Sequence, residues 1–291
     1  MILLNDWSKE AKRVIASCRI LKIPTICIQE SIIDFGDSFS RMMHADFAFI
    51  QGVQTQKELK RKLYFITGNP RYETIKKVNI EKNIIVAINC NFTYNIYEEI
   101  RENWLDDITF ALDKNEIAYT ISQHPRDNGN LEKYKSVNKS SSSSVHELLN
   151  TSKFLITRFS SLIHEALIMG IPIIYYNPHG EQMKYDFDFN EDFLILAKNE
   201  AQLNEAIVKL SKGVNFKNVN SYLIKHCILP GSSPSKNISS LINNIDFESK
   251  TMRSNDYLAF LIFHPLILKC VFLIKSYIKN KLLGNNKKAV N

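Results

Sequence analysis

The sequence predicts an α/β fold of parallel sheets in two successive units, the first short and the second complete. Three observations predict it. Short apolar, β-rich runs alternate with helical segments along most of the chain, which is the pattern of βαβ units. The composition, 45% hydrophobic and 23% charged, is that of an ordinary globular protein, and 291 residues give room for one large domain or two ordinary ones. The cycle also restarts: after the turn Gly68-Asn69-Pro70 and the charged stretch at residues 76–82, a new apolar strand opens at Ile84.

The boundary is therefore expected at residues 72–82. It separates a partial N-terminal unit, residues 1–75, from a doubly wound, Rossmann-like unit at residues 83–245. Residues 251–291 follow as a basic, apolar helical tail. About seventy residues are fewer than a full Rossmann-like domain usually has, so the first unit reads as short or incomplete.

Within the first unit, residues 2–4 read as a strand, 8–21 as a helix and 23–29 as the next strand. The runs "ADFAFIQG" and "LYFITGNPR" add two short strands, the second halted by its Gly-Asn-Pro. The second unit gives strand 84–88, a loop at 89–93, a helix over 97–114 and strand 118–122. Residues 127–144, with five consecutive serines, read as a polar and mobile surface loop. Helix 145–150, strand 154–157, helix 161–169, strands 171–175 and 193–197 and helix 200–212 complete the alternation. No repeat of solenoid length interrupts it.

Charge and cysteine usage exclude several classes. Of the net +7, +6 lies in residues 251–291, where seven Lys and Arg face Asp256 alone. A nearly neutral body does not suit a nucleic-acid binder, which spreads its basic residues over a face or groove. Cys18, Cys27, Cys90, Cys227 and Cys270 are scattered, odd in number and form no C-x-x-C. That pattern points to reduced thiols in a cytosolic setting and to neither a disulfide scaffold nor a zinc site. The opening "MILLNDWSKE" has no secretory h-region, and no run reaches the ~20 apolar residues of a spanning helix.

In an open α/β sheet, ligands bind beyond the carboxyl ends of the strands. Three such ends carry unusual polar groups: His124-Pro125-Arg126, then Arg158-Phe159-Ser160-Ser161, then Asn177-Pro178-His179-Gly180-Glu181. Ser160 and Ser161 open a helix, whose unpaired N–H groups and dipole favour an anion such as phosphate. His124 and Arg126 add positive charge, the arginine as a fork suited to phosphate. Glu165, one turn into the helix, is placed to accept from ribose hydroxyls. Singly, a His-Pro is a loop entry and a Ser-Ser is an N-cap. In order at successive strand ends, they describe one crevice for a mono- or diphosphate nucleotide.

The stretches "SQHPRD" and "SSLIHEALIMGIPIIYYNPHGE" resemble the C-terminal half of GT-B glycosyltransferases that build bacterial surface polysaccharides. The groups they resemble carry an HP motif and a downstream S or SS motif: bacterial sialyltransferases, polysialyltransferases and capsular Kdo transferases. The resemblance covers about residues 84–210. It implies a GT-B-like fold of two Rossmann-like domains. It also implies that His124, Pro125, Ser160 and Ser161 hold the CMP part of a donor, with His124 assisting departure of the phosphate. Separately, "FITGNPRYE" is similar to the Gly-x-Pro-Arg segment of teichoic-acid-type glycerophosphotransferases. The two resemblances agree on architecture and differ on the donor.

The expected activity is metal-independent, cofactor-free transfer of a sugar from a nucleotide-sugar co-substrate, CMP-linked by preference. The acceptor is a capsule, O-antigen or lipooligosaccharide glycan or glycolipid. His124 and Glu30 are the candidate catalytic residues. Pro125, Arg126, Arg158, Ser160, Ser161, Glu165, His179 and Glu181 are the candidate donor-binding ones. The acidic base motif of the sialyltransferase groups is missing; Glu30, at a strand end in "CIQES", is the nearest carboxylate, and Asp6 is a weaker second. The D-x-D in "YDFDFNED" reads as an acidic surface loop, and Asp106-Asp107 as helix neighbours that share no face. The tail's Leu, Ile, Phe and Lys suit the cytoplasmic membrane interface, with packing across the N-terminal domain as the alternative. Two further readings stay open: a UDP-sugar 2-epimerase of the same fold, and a truncated, non-catalytic nucleotide- or partner-binding protein.

Overall fold

The computed structural model describes residues 1–33, 41–59, 63–78, 85–93, 96–182, 185–228 and 233–244. The tail at 251–291, assigned above to a helix and a membrane contact, lies outside the described residues.

Four short strands, β1 (Ile2–Leu3), β2 (Ile26–Ile28), β3 (Phe47–Ile50) and β4 (Tyr64–Ile66), form one parallel sheet in the order β1-β2-β3-β4. Six more, β5 (Ile85–Cys90), β6 (Tyr119–Gln123), β7 (Val137–Lys139), β8 (Ser152–Thr157), β9 (Ile173–Tyr176) and β10 (Leu194–Ala197), form a second parallel sheet. Its order is β10-β9-β8-β5-β6-β7. The chain thus winds outward from β5 in one direction, then returns to β5 and winds outward in the other. This is the doubly wound order with a topological switch between β5 and β8.

The helices are α1 (Lys9–Ile20), α2 (Val53–Glu58), α3 (Arg101–Lys114), α4 (Ser142–Asn150), α5 (Leu162–Met169), α6 (Glu200–Lys212), α7 (Val219–His226) and α8 (Pro234–Asn244). Pleat alternation divides each sheet between two cores. On the second sheet, Val86, Ile88, Phe154, Ile156 and Ile174 pack under α3 and α6, while Ala87, Leu155, Ile173 and Tyr175 pack under α5 and α7. On the first sheet, Cys27, Ala48 and Ile50 pack with Ile15 of α1, and Ile26, Phe47 and Phe49 pack with Ile238 of α8. The last described helix therefore crosses back to the first sheet.

The two sheets are tied closely. Gly52, before α2, lies so near the end of α7 that an added Cβ would stand 2.5 Å from the Lys225 carbonyl oxygen and 2.6 Å from the His226 carbonyl carbon. The linker then runs along α5: Tyr72 meets His164 edge-on at 6.4 Å between ring centroids, and Val78 N–H donates to Met169 O at 2.8 Å.

The strand and helix alternation is as expected, with four corrections. Residues 127–144, read as a loop, contain β7 and the start of α4. β7 is a three-residue edge strand with only Val137 half-buried, too short and polar to show a period. The serine run is an N-terminus: Ser141 caps α4 through a reciprocal pair of bonds with Ser144. β5 continues to Cys90 into the presumed loop. Helices α2, α7 and α8 went unread, although Val219, Tyr222, Leu223 and His226 carry a helical period that a wider window shows.

Candidate functional site at the sheet switch

At the switch, Asn89 of β5 donates through Nδ2 to Thr157 Oγ1 of β8 at 2.9 Å, locking the two strand ends together. Arg158 follows. Its side chain is 5% exposed and fully engaged: Nε and Nη2 fork onto the Glu181 carboxylate, and Nη1 donates to Asn91 O at 2.8 Å. The guanidinium also lies 4.8 Å from the Phe92 ring centroid and 5.4 Å from that of Tyr97. Arg158 and Glu181, both expected to bind the donor, tie the ends of β5, β8 and β9 to one another. The saturated fork fixes the crevice wall, as a buried bidentate pair does.

His179 stands beside them, its side chain 10% exposed, its ring 4.8 Å from that of Tyr97 and its Nε2 3.7 Å from Glu181 Oε2. Among the described residues, neither ring nitrogen has a hydrogen-bond partner, nor does Asn91 Oδ1. Burial lowers the His179 pKa against the opposing pull of Glu181. Buried polar groups without partners are uncommon, and these three atoms lie beyond the carboxyl ends of β5 and β9.

The turn after β6 is held from below. His124 N–H donates to Cys90 O at 2.9 Å, and Asp127 N–H to His124 O at 2.8 Å. Asp127, fully buried, accepts from Phe92 N–H at 3.0 Å and Gly129 N–H at 2.9 Å, and pairs with Arg101 at 3.0 Å. This carboxylate, not singled out from the sequence, anchors the His-Pro-Arg turn to the end of β5. His124 Nδ1 accepts from Arg126 N–H at 3.2 Å, which assigns its proton to Nε2. Burial lowers the His124 pKa, partly offset by Asp127. Burial thus works against the positive charge expected on His124. Pro125 and Arg126 are exposed.

At the start of α5, Ser160 Oγ accepts from Leu162 N–H at 3.2 Å, and Ser161, the N-cap residue, makes no side-chain cap bond. The next two N–H groups, of Ile163 and His164, donate to Ser160 O at 3.3 Å and Ser161 O at 3.1 Å. Glu165 is 8% exposed in its side chain and meets two groups missed in the sequence: His146 Nε2 of α4 at 2.5 Å and Arg71 Nη2 of the linker at 3.6 Å. Arg71 belongs to the Gly-x-Pro-Arg segment noted in the sequence, but only packing brings it and His146 to Glu165.

Glu30 is exposed on the loop after β2. Asn69 Nδ2 donates to its carbonyl at 3.1 Å, and Ile32, two residues on, packs in the core that holds Tyr72 and Leu162. The loop thus abuts the linker and α5. Asp6, the weaker candidate base, is corrected: it is fully buried and accepts from the N–H groups of Met42, His44 and Ala45 at 2.6–3.0 Å. Asp188 of the D-x-D pairs with Lys225 and accepts from His226 Nε2 at 2.9 Å.

Two Rossmann-like sheets, docked and returning through a C-terminal helix, define a GT-B fold. The family model described as "CDP-Glycerol:Poly(glycerophosphate) glycerophosphotransferase" matches residues 51–212, and the chain belongs to that family of transferases. Solved structures share the fold at low identity. UDP-GlcNAc 2-epimerase of Methanocaldococcus jannaschii, in complex with UDP-GlcNAc and UDP, has a TM-score of 0.55 at 14% identity, over 79% of this chain and 72% of that one. The MnaA–UDP structure of S. aureus has 0.54 at 14%, over 79% and 69%. The wall teichoic acid polymerase TagF, as a variant soaked with CDPG, has 0.51 at 12%, over 76% and 68%. No curated protein matches the chain. Among the described residues, no helix is long and apolar enough to cross a membrane.

Proposed function

We propose that this transferase moves a group from a cytidine nucleotide donor onto a hydroxyl of a bacterial cell-surface polymer, releasing CMP. The observation that carries the reading is the switch between β5 and β8, inside the segment matched by the family model. The family favours a CDP-polyol donor, and the His-Pro and Ser-Ser resemblance favours a CMP-sugar. Both donors share the leaving group. With a CDP-polyol, the acceptor oxygen attacks the β-phosphorus, the bond from that phosphorus to the bridging oxygen breaks, and CMP departs with the oxygen. With a CMP-sugar, the same hydroxyl attacks the anomeric carbon and its bond to the phosphate oxygen breaks.

The residues take corresponding roles. Nε2–H of His124 donates to the leaving phosphate, and developing charge there raises the ring's proton affinity. Arg126, Ser160, Ser161 and the N-terminus of α5 surround the same anion. Glu165 receives the ribose hydroxyls, His179 and Pro125 line the crevice, and Arg158 with Glu181 keeps its wall rigid. Glu30, on the loop that abuts α5, takes the acceptor proton. The tail at 251–291 gives peripheral contact with the cytoplasmic membrane surface.

The test is thermal stabilisation of the purified chain by CMP, CDP, UDP and GDP. A ligand at a hundred times its dissociation constant adds about 2.7 kcal/mol. Selective response to CMP and CDP, lost in His124→Ala, supports the reading; a response to UDP alone, or to none, overturns it.

A further inference from the structure

The linker carries an arginine whose setting differs from those at the sheet switch. Asn69 fixes its backbone: Oδ1 accepts from Arg71 N–H at 3.0 Å, Nδ2 donates to Glu30 O, and the Asn69 N–H donates to Cys227 O at 3.3 Å. Gly68, at φ +77, leaves no room for a Cβ, which would stand 2.8 Å from Pro234 Cγ. The turn is thus clamped between the loop after β2, the residue following α7 and the start of α8. From it the Arg71 side chain, half exposed, extends to the first turn of α5 and meets Glu165 Oε1 at 3.6 Å.

The other oxygen of that carboxylate is held by His146 at 2.5 Å. Arg158 and Arg101 are both largely buried, with forks engaged at 2.8–3.4 Å by Asn91 O and Phe92 O and by the carboxylates of Glu181 and Asp127. Among the described residues Arg71 has one ion pair, a long one, and a half-exposed pair of that kind holds its partners weakly. It stands beside the helix terminus that the proposed function assigns to phosphate, on the side facing the N-terminal sheet.

We propose that Arg71 is a phosphate ligand for the donor, supplied by the linker: on binding it leaves Glu165 for the phosphate group nearest the α5 terminus, while His146 retains the carboxylate. The inference rests on the proposed nucleotide site and adds to it a residue outside the strand-end motifs. It also explains the fixed turn. A cation meant to meet an anion at one place needs its backbone held, with only its side chain free to move. Because the same Asn69 binds the Glu30 carbonyl, the phosphate and the proposed base are referenced to one rigid turn.

The experiment is calorimetric titration of the full chain with CDP and with cytidine, which lacks phosphate. For Arg71→Gln, CDP affinity is expected to fall at least tenfold and cytidine affinity to stay within twofold, with the ligand-free unfolding midpoint unchanged. Arg71→Lys should recover part of the loss, since it restores charge without the fork. CDP binding within twofold of wild type, or equal losses for CDP and cytidine, overturns the role of Arg71 and leaves the nucleotide site standing. Absence of binding by wild type to either probe overturns the nucleotide site, and this inference with it.

Discussion

The two sheets are built from the same parts and differ in one topological step. Among the described strands, the N-terminal sheet runs β1-β2-β3-β4 in chain order, while the C-terminal sheet reverses at β5 and β8. Where strand order never reverses, connections leave adjacent strand ends to the same side and close them over. Where it reverses, they diverge and leave a crevice. The buried carboxylates show the consequence. Asp6, after β1, is enclosed by three backbone N–H groups and does structural work alone. Asp127, beyond β6, is equally buried but holds up a turn that presents His124 to the crevice. One mutation in each sheet can therefore separate folding from binding.

The largest effect expected is that of Asp127→Ala. It leaves Arg101 and two N–H groups without their partner and should cost about 4 kcal/mol in chemical denaturation. Even where folded, the variant should lose its stabilisation by CMP. Asp6→Ala should cost about 3 kcal/mol for its three orphaned donors, yet keep the CMP response; loss of that response would refute the contrast between the sheets.

Acid should act through the junction of the two sheets. Burial lowers the pKa of His226 to about 4, although Asp188 opposes the shift, and burial takes His164 well below its usual value. The groups facing them include Tyr185, Tyr222, Asp188 and Lys225. The unfolded chain binds protons first, near pH 6.5, so stability is present above that pH and is lost as pH falls toward 4. His226 alone accounts for on the order of 3 kcal/mol across that window. Denaturation midpoints followed from pH 7 to 4 check this, and a flat profile contradicts it.

His124→Ala should lower CMP release about a hundredfold, the scale of one proton-transfer or charge-stabilising group, with no change in unfolding midpoint. A rate within threefold of wild type would remove His124 from the chemistry. The smallest effect belongs to the exposed face of α3: Lys133→Ala, which breaks pairs with Glu102 and Asp106 in solvent, should leave the unfolding midpoint and nucleotide response where they are.

Much of the fold was legible in the chain because strands and helices of a parallel sheet are local signals: apolar runs, their periods and the punctuation at Gly68-Asn69-Pro70 or Gly170. β7 was not, because a three-residue edge strand with one half-buried side chain has no period to read. The strand-end motifs were visible as polar groups at the right places. Their partners were not. That Arg158 is saturated by Glu181, that Asp6 is closed to solvent, and that Glu165 meets His146 and Arg71 depend on contacts 19 to 94 residues apart.

By itself, then, the sequence determined an α/β chain with successive βαβ units and a helix opening after Ser160-Ser161, since backbone propensity and hydrophobic period act over a few neighbours. The tertiary structure alone decided which polar side chains serve the scaffold and which face the crevice. Burial and pairing set that division, and both arise only when β5 and β8 lie side by side and the linker lies along α5.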